Sequence, residues 1–139
     1  MIIEFEIPGP PMGKGRHRTT KTGHSYTPKE TVNYDNLVKM CCREVYKGDP
    51  HQGQVEALIV ACYPIPKSTS KKRAHQMATG YIRPIIKPDW DNIGKIVCDA
   101  LNHIVYRDDA QIVDARVRKF FSERPRVAVT LTLTEKGAI

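Results

Sequence analysis

The sequence predicts a single small domain of the α/β (α+β) class, with a mixed sheet of about four strands packed against helices. Three observations predict it. Alternating or β-branched apolar runs occur four times, at residues 2–7, 55–63, 112–121 and 126–134. Between them lie stretches whose apolar residues recur at helical spacing. The chain of 139 residues is long enough for one core and leaves little room for a second. Strands and helices mix throughout, which is the pattern of one sheet backed by helices.

The elements follow in order. Ile2, Glu4 and Glu6 alternate with Ile3, Phe5 and Ile7, a strand that ends at Pro8. The loop PGPPMGKGRHRTTKTGHSY comes next. Thr27-Pro28-Lys29-Glu30 then starts a helix, with Thr27 as cap, Pro28 at the first helical position and Glu30 completing a capping box. Tyr34, Leu37, Val38, Cys41 and Val45 form its apolar face, and Gly48 ends it. Residues 55–63 read as the second strand, stopped by Pro64 and Pro66. Residues 68–79 form a short basic helix capped by Ser68 or Ser70, and 81–87 are extended because Pro84 and Pro88 disfavour helix before them.

Asp89 or Asp91 opens the second main helix. Ile93, Ile96, Val97, Ala100 and Leu101 make its core face, while Asp91, Lys95 and Asp99 recur every fourth residue on the opposite one. Asn102-His103 is a turn, residues 104–106 are a short apolar piece, and Arg107-Asp108-Asp109 is a polar break. The last two strands are joined by a turn at residues 123–125.

Lys and Arg number 22 against 15 Asp and Glu, a formal net charge of +7, and the charges are blocked along the chain. Residues 7–29 contain no acid but carry Lys14, Arg16, Arg18, Lys21 and Lys29. Residues 57–88 also lack acids and carry Lys67, Lys71, Lys72, Arg73, Arg83 and Lys87. Such a balance points to an anionic partner, of which nucleic acid is the commonest, or to ordinary solvated loops. Lys14, Arg16, Arg18, Lys71, Lys72 and Arg73 are the candidate contacts to a nucleic-acid backbone. Cys41, Cys42, Cys62 and Cys98 include no CxxC pair. Cys41 and Cys98 fall on apolar helix faces, so buried reduced thiols in a cytoplasmic protein are expected. The first residues have neither the basic nor the apolar region of a signal peptide, and no apolar run reaches the ~20 residues of a membrane helix.

Against this background residues 87–114 stand apart. KPDWDNIGKIVCDALNHIVYRDDAQIVD holds Asp89, Asp91, Asp99, Asp108, Asp109 and Asp114 against the internal cations Lys95 and Arg107. Acids so dense repel one another unless a cation sits among them, and a hard divalent ion prefers oxygen ligands. If the chain returns from the helix so that Asp109 meets Asp89 and Asp91, three carboxylates converge on such an ion. The alternative is that Asp89 and Asp91 merely cap the helix and complement its dipole. Lys95 either contacts a phosphate or pairs with Asp91 or Asp99. GPPMGKGR is not a Walker loop: Gly9 is one residue too close to Gly13-Lys14, and Gly15 stands where Ser or Thr belongs. The five histidines have no zinc spacing, and no Ser-His-Asp arrangement is suggested.

IPGPPMGKGRHR, YTPKET with Tyr34-Asp35-Asn36, PKSTSKKR, and above all KPDWDNIGKIVCDALN followed by YRDDAQIVD are similar to motifs of the RusA family of Holliday-junction resolvases, in its phage-encoded branch. The likeness covers nearly the whole chain. It implies a RusA-like homodimeric endonuclease that resolves four-way branched DNA with Mg²⁺ (Mn²⁺ as a substitute) by paired symmetric nicks, in the cytoplasm and at the nucleoid. It further implies that Asp89, Asp91 and Asp109 are metal-binding catalytic acids and that Lys95 is the catalytic lysine. Asp108 and Asp99 lie in the motif without assigned roles. Three residues depart from the family pattern: Trp90 replaces an aliphatic and is read as core, Gly94 weakens its helix by up to ~1 kcal/mol, and His103 stands where glycine is usual. A DNA-binding protein without nuclease activity, and a metal nuclease acting on flaps, forks or RNA, remain the other readings.

Overall fold

The computed structural model describes residues 1–15 and 18–135, with the side chains of Arg18 and Thr19 excepted. The element order is β1 (Ile2–Pro8), β2 (Arg18–Thr19), β3 (Ser25–Tyr26), α1 (Lys29–Arg43), β4 (Val55–Pro64), α2 (Lys71–Ala78), α3 (Trp90–Ala100), a 3₁₀ turn (Asp109–Gln111), β5 (Ile112–Ser122) and β6 (Arg126–Leu133). Four strands form the main sheet in the order β1-β6-β4-β5, and β2 pairs with β3 separately. β4 and β5 are parallel while β1–β6 and β4–β6 are antiparallel, so the sheet is mixed as the sequence predicts.

Alternation decides which face is covered. Ile3, Phe5 and Ile7 of β1, Val55, Ala57, Ile59 and Ala61 of β4, and Val127, Val129, Leu131 and Leu133 of β6 are all buried. Residues two apart on a strand share a face, so these side chains make one apolar surface. Tyr34, Val38 and Cys42 of α1 and Ile93, Ile96, Val97 and Ala100 of α3 pack into the same core, and the two helices touch each other. Parallel neighbours cannot be joined by a hairpin. The chain leaving β4 therefore travels through α2 and α3 before it returns as β5.

Several local expectations are corrected. Helix α1 starts at Lys29 with Pro28 as its cap and has no side-chain cap hydrogen bond, so the Thr27–Glu30 capping box is not made. Pro28 is extended (φ −53°, ψ 144°), which moves the helix start one residue beyond Thr27. The helix ends at Arg43, not Gly48, and Val45 lies beyond it, 54% exposed. Cys42 and Cys62 are the buried thiols, whereas Cys41 and Cys98 are half-buried; all four are free. Residues 81–87 bend and form no strand. Trp90 is 64% exposed because it lies in the first turn of α3, before Ile93, where the buried face begins.

Other expectations hold. Ser70 caps α2 by accepting from the Arg73 amide. Ile93, Ile96, Val97, Ala100 and Leu101 are all buried. Gly94 has a packing role: a β-carbon there would stand 3.4 Å from a Val117 methyl on β5, so the helix lies close on the strand. His103 has φ +68°, the left-handed region that glycine enters without steric cost. Replacing His103 with Gly is expected to raise unfolding stability by up to about 1 kcal/mol through relief of that strain. Chemical denaturation checks it, and an unchanged midpoint would show that His103 is not strained.

Candidate active site

The Asp-x-Asp pair is built on the start of α3. Asp89 is the N-cap residue and is extended (φ −70°, ψ 156°), yet its side chain makes no capping hydrogen bond. Asp91 follows in the first turn. Both are exposed, and among the described residues neither makes a salt bridge. The backbone entering the helix is held from below, where the Tyr63 hydroxyl donates to the Pro88 carbonyl at 2.5 Å. Burial, helped by the Asp89 charge, pushes the Tyr63 phenol up to about 12, so it stays protonated and donates at any working pH.

Two turns further along α3 is a second cluster. Lys14 donates to the Asp99 carboxylate at 2.5 Å, and Lys95 approaches the same oxygen at 3.6 Å. The Asp109 carboxyl also reaches Asp99. Burial pushes the Asp99 pKa up, but the hydrogen bonds from Lys14 and Asp109 and the charges of Lys14 and Lys95 outweigh it and hold the group below its ordinary value. Asp109 moves the opposite way: its hydrogen bond to Asp99, then burial, then the charges of Asp99 and Asp108 raise it, against the pull of Lys95. The two carboxyls are thus pushed apart, Asp99 toward the ionised form and Asp109 toward the protonated one.

Lys14 arrives on the loop after β1. A β-carbon on Gly13 would come within 3.0 Å of the Asn92 amide nitrogen and of Pro88, and one on Gly15 within 2.7 Å of the Thr31 hydroxyl. The Gly15 amide donates to that hydroxyl at 2.9 Å. The glycines of GPPMGKGR therefore let the loop lie flat on the starts of α1 and α3. Lys14, Lys87, Asp89 and Asn92 line the resulting open groove.

The return from α3 fixes Asp109. Tyr106 is fully buried and its hydroxyl donates to the Cys98 carbonyl at 2.6 Å. The His51 amide donates to Val105 and the His103 amide to Tyr106, each at 2.7 Å. Asp108 accepts from the Ala110 amide, Gln111 accepts from the Asp108 amide, and together they make a capping box around the 3₁₀ turn. The Gln111 amide group also donates to the carbonyls of His51 and Gly53. Asp108 is thereby consumed in structure, and Asp109 is left facing α3.

Residues 8–132 match the family described as endodeoxyribonuclease RusA. The chain belongs to the RusA family. A relative, the uncharacterised protein YqaN of Bacillus subtilis (strain 168), is 37% identical over 134 residues, which are 93% of this chain and 94% of that one. The matched residues include both carboxylate clusters, with Lys95 between them.

The sequence-predicted site residues fare differently. Asp89 and Asp91 stand together with Lys95 one turn on. Asp109 does not join them as expected; it meets Asp99. Tyr106 ties the return to Cys98 in the last turn of α3, and Asp91 lies eight residues before Asp99, about 12 Å along the axis at ~1.5 Å per residue. Among the described residues no three His, Cys, Asp or Glu side chains gather closely enough to hold a metal ion. Lys71, Lys72 and Arg73 are exposed on α2, which packs on β5. Lys14, expected on the nucleic-acid backbone, is paired with Asp99. Arg16 lies outside the described residues, as does the Arg18 side chain. Sequence reasoning gave Asp99 at most a supporting place and did not single out Asn92 or Tyr63. The i, i+4 spacing from Lys95 was the signal for Asp99, and the Asp-x-Asp-Asn run was the signal for Asn92.

The raised Asp109 pKa has a consequence for stability. The folded Asp109 pKa is raised, so its contribution is full at low pH and is lost as pH rises through the folded value, when the proton leaves and two anions face each other. Asn at this position keeps a donor toward Asp99 and cannot ionise. In EDTA, Asp109→Asn is expected to raise the melting temperature at pH 8, with the gain shrinking to nothing below the ordinary carboxylate range. A gain independent of pH would show that the Asp109 pKa is not raised.

Proposed function

We propose that the protein is a Mg²⁺-dependent, structure-selective endonuclease that resolves four-way DNA junctions by paired symmetric nicks, acting as a homodimer in the cytoplasm and at the nucleoid. The observation that supports this best is the unused state of Asp89. A carboxylate at a helix N-cap ordinarily accepts from the backbone amides of the next turn. Asp89 does not, although Asp108 in the same segment does. Asp89 and Asp91 are therefore two adjacent carboxylates at a helix start with no capping hydrogen bond and, among the described residues, no salt bridge, in a protein of formal net charge +7.

The donor chemistry fits a hard cation. Asp89 and Asp91 would hold it through carboxylate oxygen, and Asp109 would complete the set only by leaving Asp99, beside which it lies in this structure. Bound there, Mg²⁺ would neutralise charge on the scissile phosphate and favour ionisation of an attacking water. The chain's own residues supply the rest. Lys95 projects from the same face one turn after Asp91 and is exposed enough to meet a phosphate oxygen. Lys14 brings a second cation to the same face from a loop packed against Asn92. Lys71, Lys72 and Arg73, with Arg16 and Arg18, would hold the DNA arms through phosphate contacts, so binding should weaken steeply with salt. Two copies related by a two-fold axis match the pseudo-symmetry of a four-way junction and provide one active site for each nick.

Asp91→Asn tests the assignment. Cleavage of a labelled four-way junction in Mg²⁺ should fall by about 10²–10³-fold, the scale of losing one charge-stabilising group in an active site, while junction binding in EDTA is kept. Full cleavage by the variant would remove Asp91 from the site. Binding without cutting by the native protein, in Mg²⁺ and in Mn²⁺, would instead make this a DNA-binding protein without nuclease activity.

A further inference from the structure

The segment between α2 and α3 holds large apolar side chains out into water. Ile85 is 98% exposed, Ile86 56% and Trp90 64%, and Tyr81 is exposed as well. The backbone that carries them is tied down. The Arg83 guanidinium donates through Nε to the Lys119 carbonyl at 2.8 Å, the Lys119 ammonium donates to the Ile86 carbonyl at 2.7 Å, and Tyr63 holds Pro88. Arg83 also lies over the Phe120 ring, 4.1 Å from its centroid. Ile85, Ile86 and Trp90 are therefore presented by a segment hydrogen-bonded at Arg83, Ile86 and Pro88, and Trp90 stands between Asp89 and Asp91 in the chain.

Charge selects the occupant. Residues 57–88 contain no acid, and the strand that anchors the segment adds Arg116, Arg118 and Lys119. Apart from Asp89 and Asp91 themselves, the surroundings are cationic. A second copy docked here about a two-fold axis would bring each cationic rim against its own equivalent. A polyanion that also carries flat apolar groups fits both features, and single-stranded nucleic acid is bound in this way, by a basic groove together with aromatic platforms. In fully paired duplex the base faces are covered by their neighbours; at a branch point they can be exposed.

We infer that Ile85, Ile86 and Trp90 form a stacking platform for an unstacked base at the branch point of DNA, and that this contact distinguishes branched from linear DNA. The inference rests on the nuclease reading above and adds the element that selects the substrate. A base held on Trp90 places its flanking phosphates next to Asp89 and Asp91, the chain neighbours of that ring. The cations hold any DNA; the platform responds only where a base is free.

Trp90 is the one tryptophan of the chain, so its emission reports on this place alone. The native protein is titrated in EDTA with a four-way junction and with linear duplex, and binding is followed in parallel by the anisotropy of end-labelled DNA. Saturation with the junction should quench the emission, and saturation with duplex should quench it much less. Trp90→Ala should weaken junction binding by roughly ten-fold, more than it weakens duplex binding, and Trp90→Phe should restore most of the loss. Emission unchanged while both DNAs bind would overturn the platform. So would a spectral shift without DNA, whether it follows protein concentration, which assigns the face to a second copy, or addition of anionic vesicles, which assigns it to a membrane surface. Cleavage assays separate the two readings: a protein that cuts junctions with Trp90 silent refutes the platform alone, one that quenches but never cuts refutes the nuclease alone, and one that binds neither DNA refutes both.

Discussion

The parallel pairing of β4 with β5 is the constraint from which the candidate site follows. Two strands side by side in the same direction force the chain to travel back along the sheet between them. Residues 65–111 make that journey, and they contain Asp89, Asp91, Lys95, Asp99, Asp109 and the basic α2. The hydrophobic demand of the sheet fixes how they are turned. Ile93, Ile96, Val97 and Ala100 must face inward, with Gly94 close on Val117, so Asp91, Lys95 and Asp99 have only the outer face left. Core packing and the position of the charged groups are one arrangement seen from two sides.

The acids on that face are kept tolerable by several means. Asp108 is spent as a cap, which removes one carboxylate from competition. Asp99 is neutralised by Lys14 and Lys95, and the Asp109 pKa is raised, which favours its uncharged form. Asp89 and Asp91 have no such partner among the described residues and rely on exposure, where water screens them. Repulsion is thus relieved everywhere except at the pair carried by the first turn of α3. Self-repulsion without compensation costs stability, and sites that bind ions or substrates are where such costs gather.

Much of this was legible from local pattern. Period-two alternation located β1, β-rich apolar runs located β4, β5 and β6, and the spacing of Ile93 to Leu101 marked the buried face of α3. What failed depended on distance. The β2–β3 pair is only two residues deep, too short for any periodicity to announce it. Sheet order is a relation between strands and leaves no mark within one. The partner of Asp109 was misjudged because it depends on where Tyr106 and Gln111 anchor the return, against Cys98 in one case and against His51 and Gly53 in the other. Trp90 was misplaced for a similar reason: its type favours burial, but nothing in the sequence shows that the covered part of α3 begins one turn later.

Lys14 shows how the frame and the charges divide their work. Its loop is fixed by close backbone approach, Gly13 on Asn92 and Pro88 and Gly15 on Thr31, and those contacts do not involve the lysine side chain. The Lys14–Asp99 pair is itself partly exposed, and a pair of that kind contributes about 0–1 kcal/mol. The fold therefore does not depend on where the ammonium group points. On the proposed function, a phosphate arriving on this face offers Lys14 an equivalent anion, and the exchange costs little. Releasing Asp99 from Lys14 would remove one of the interactions that hold its pKa low, and so would raise it toward that of Asp109.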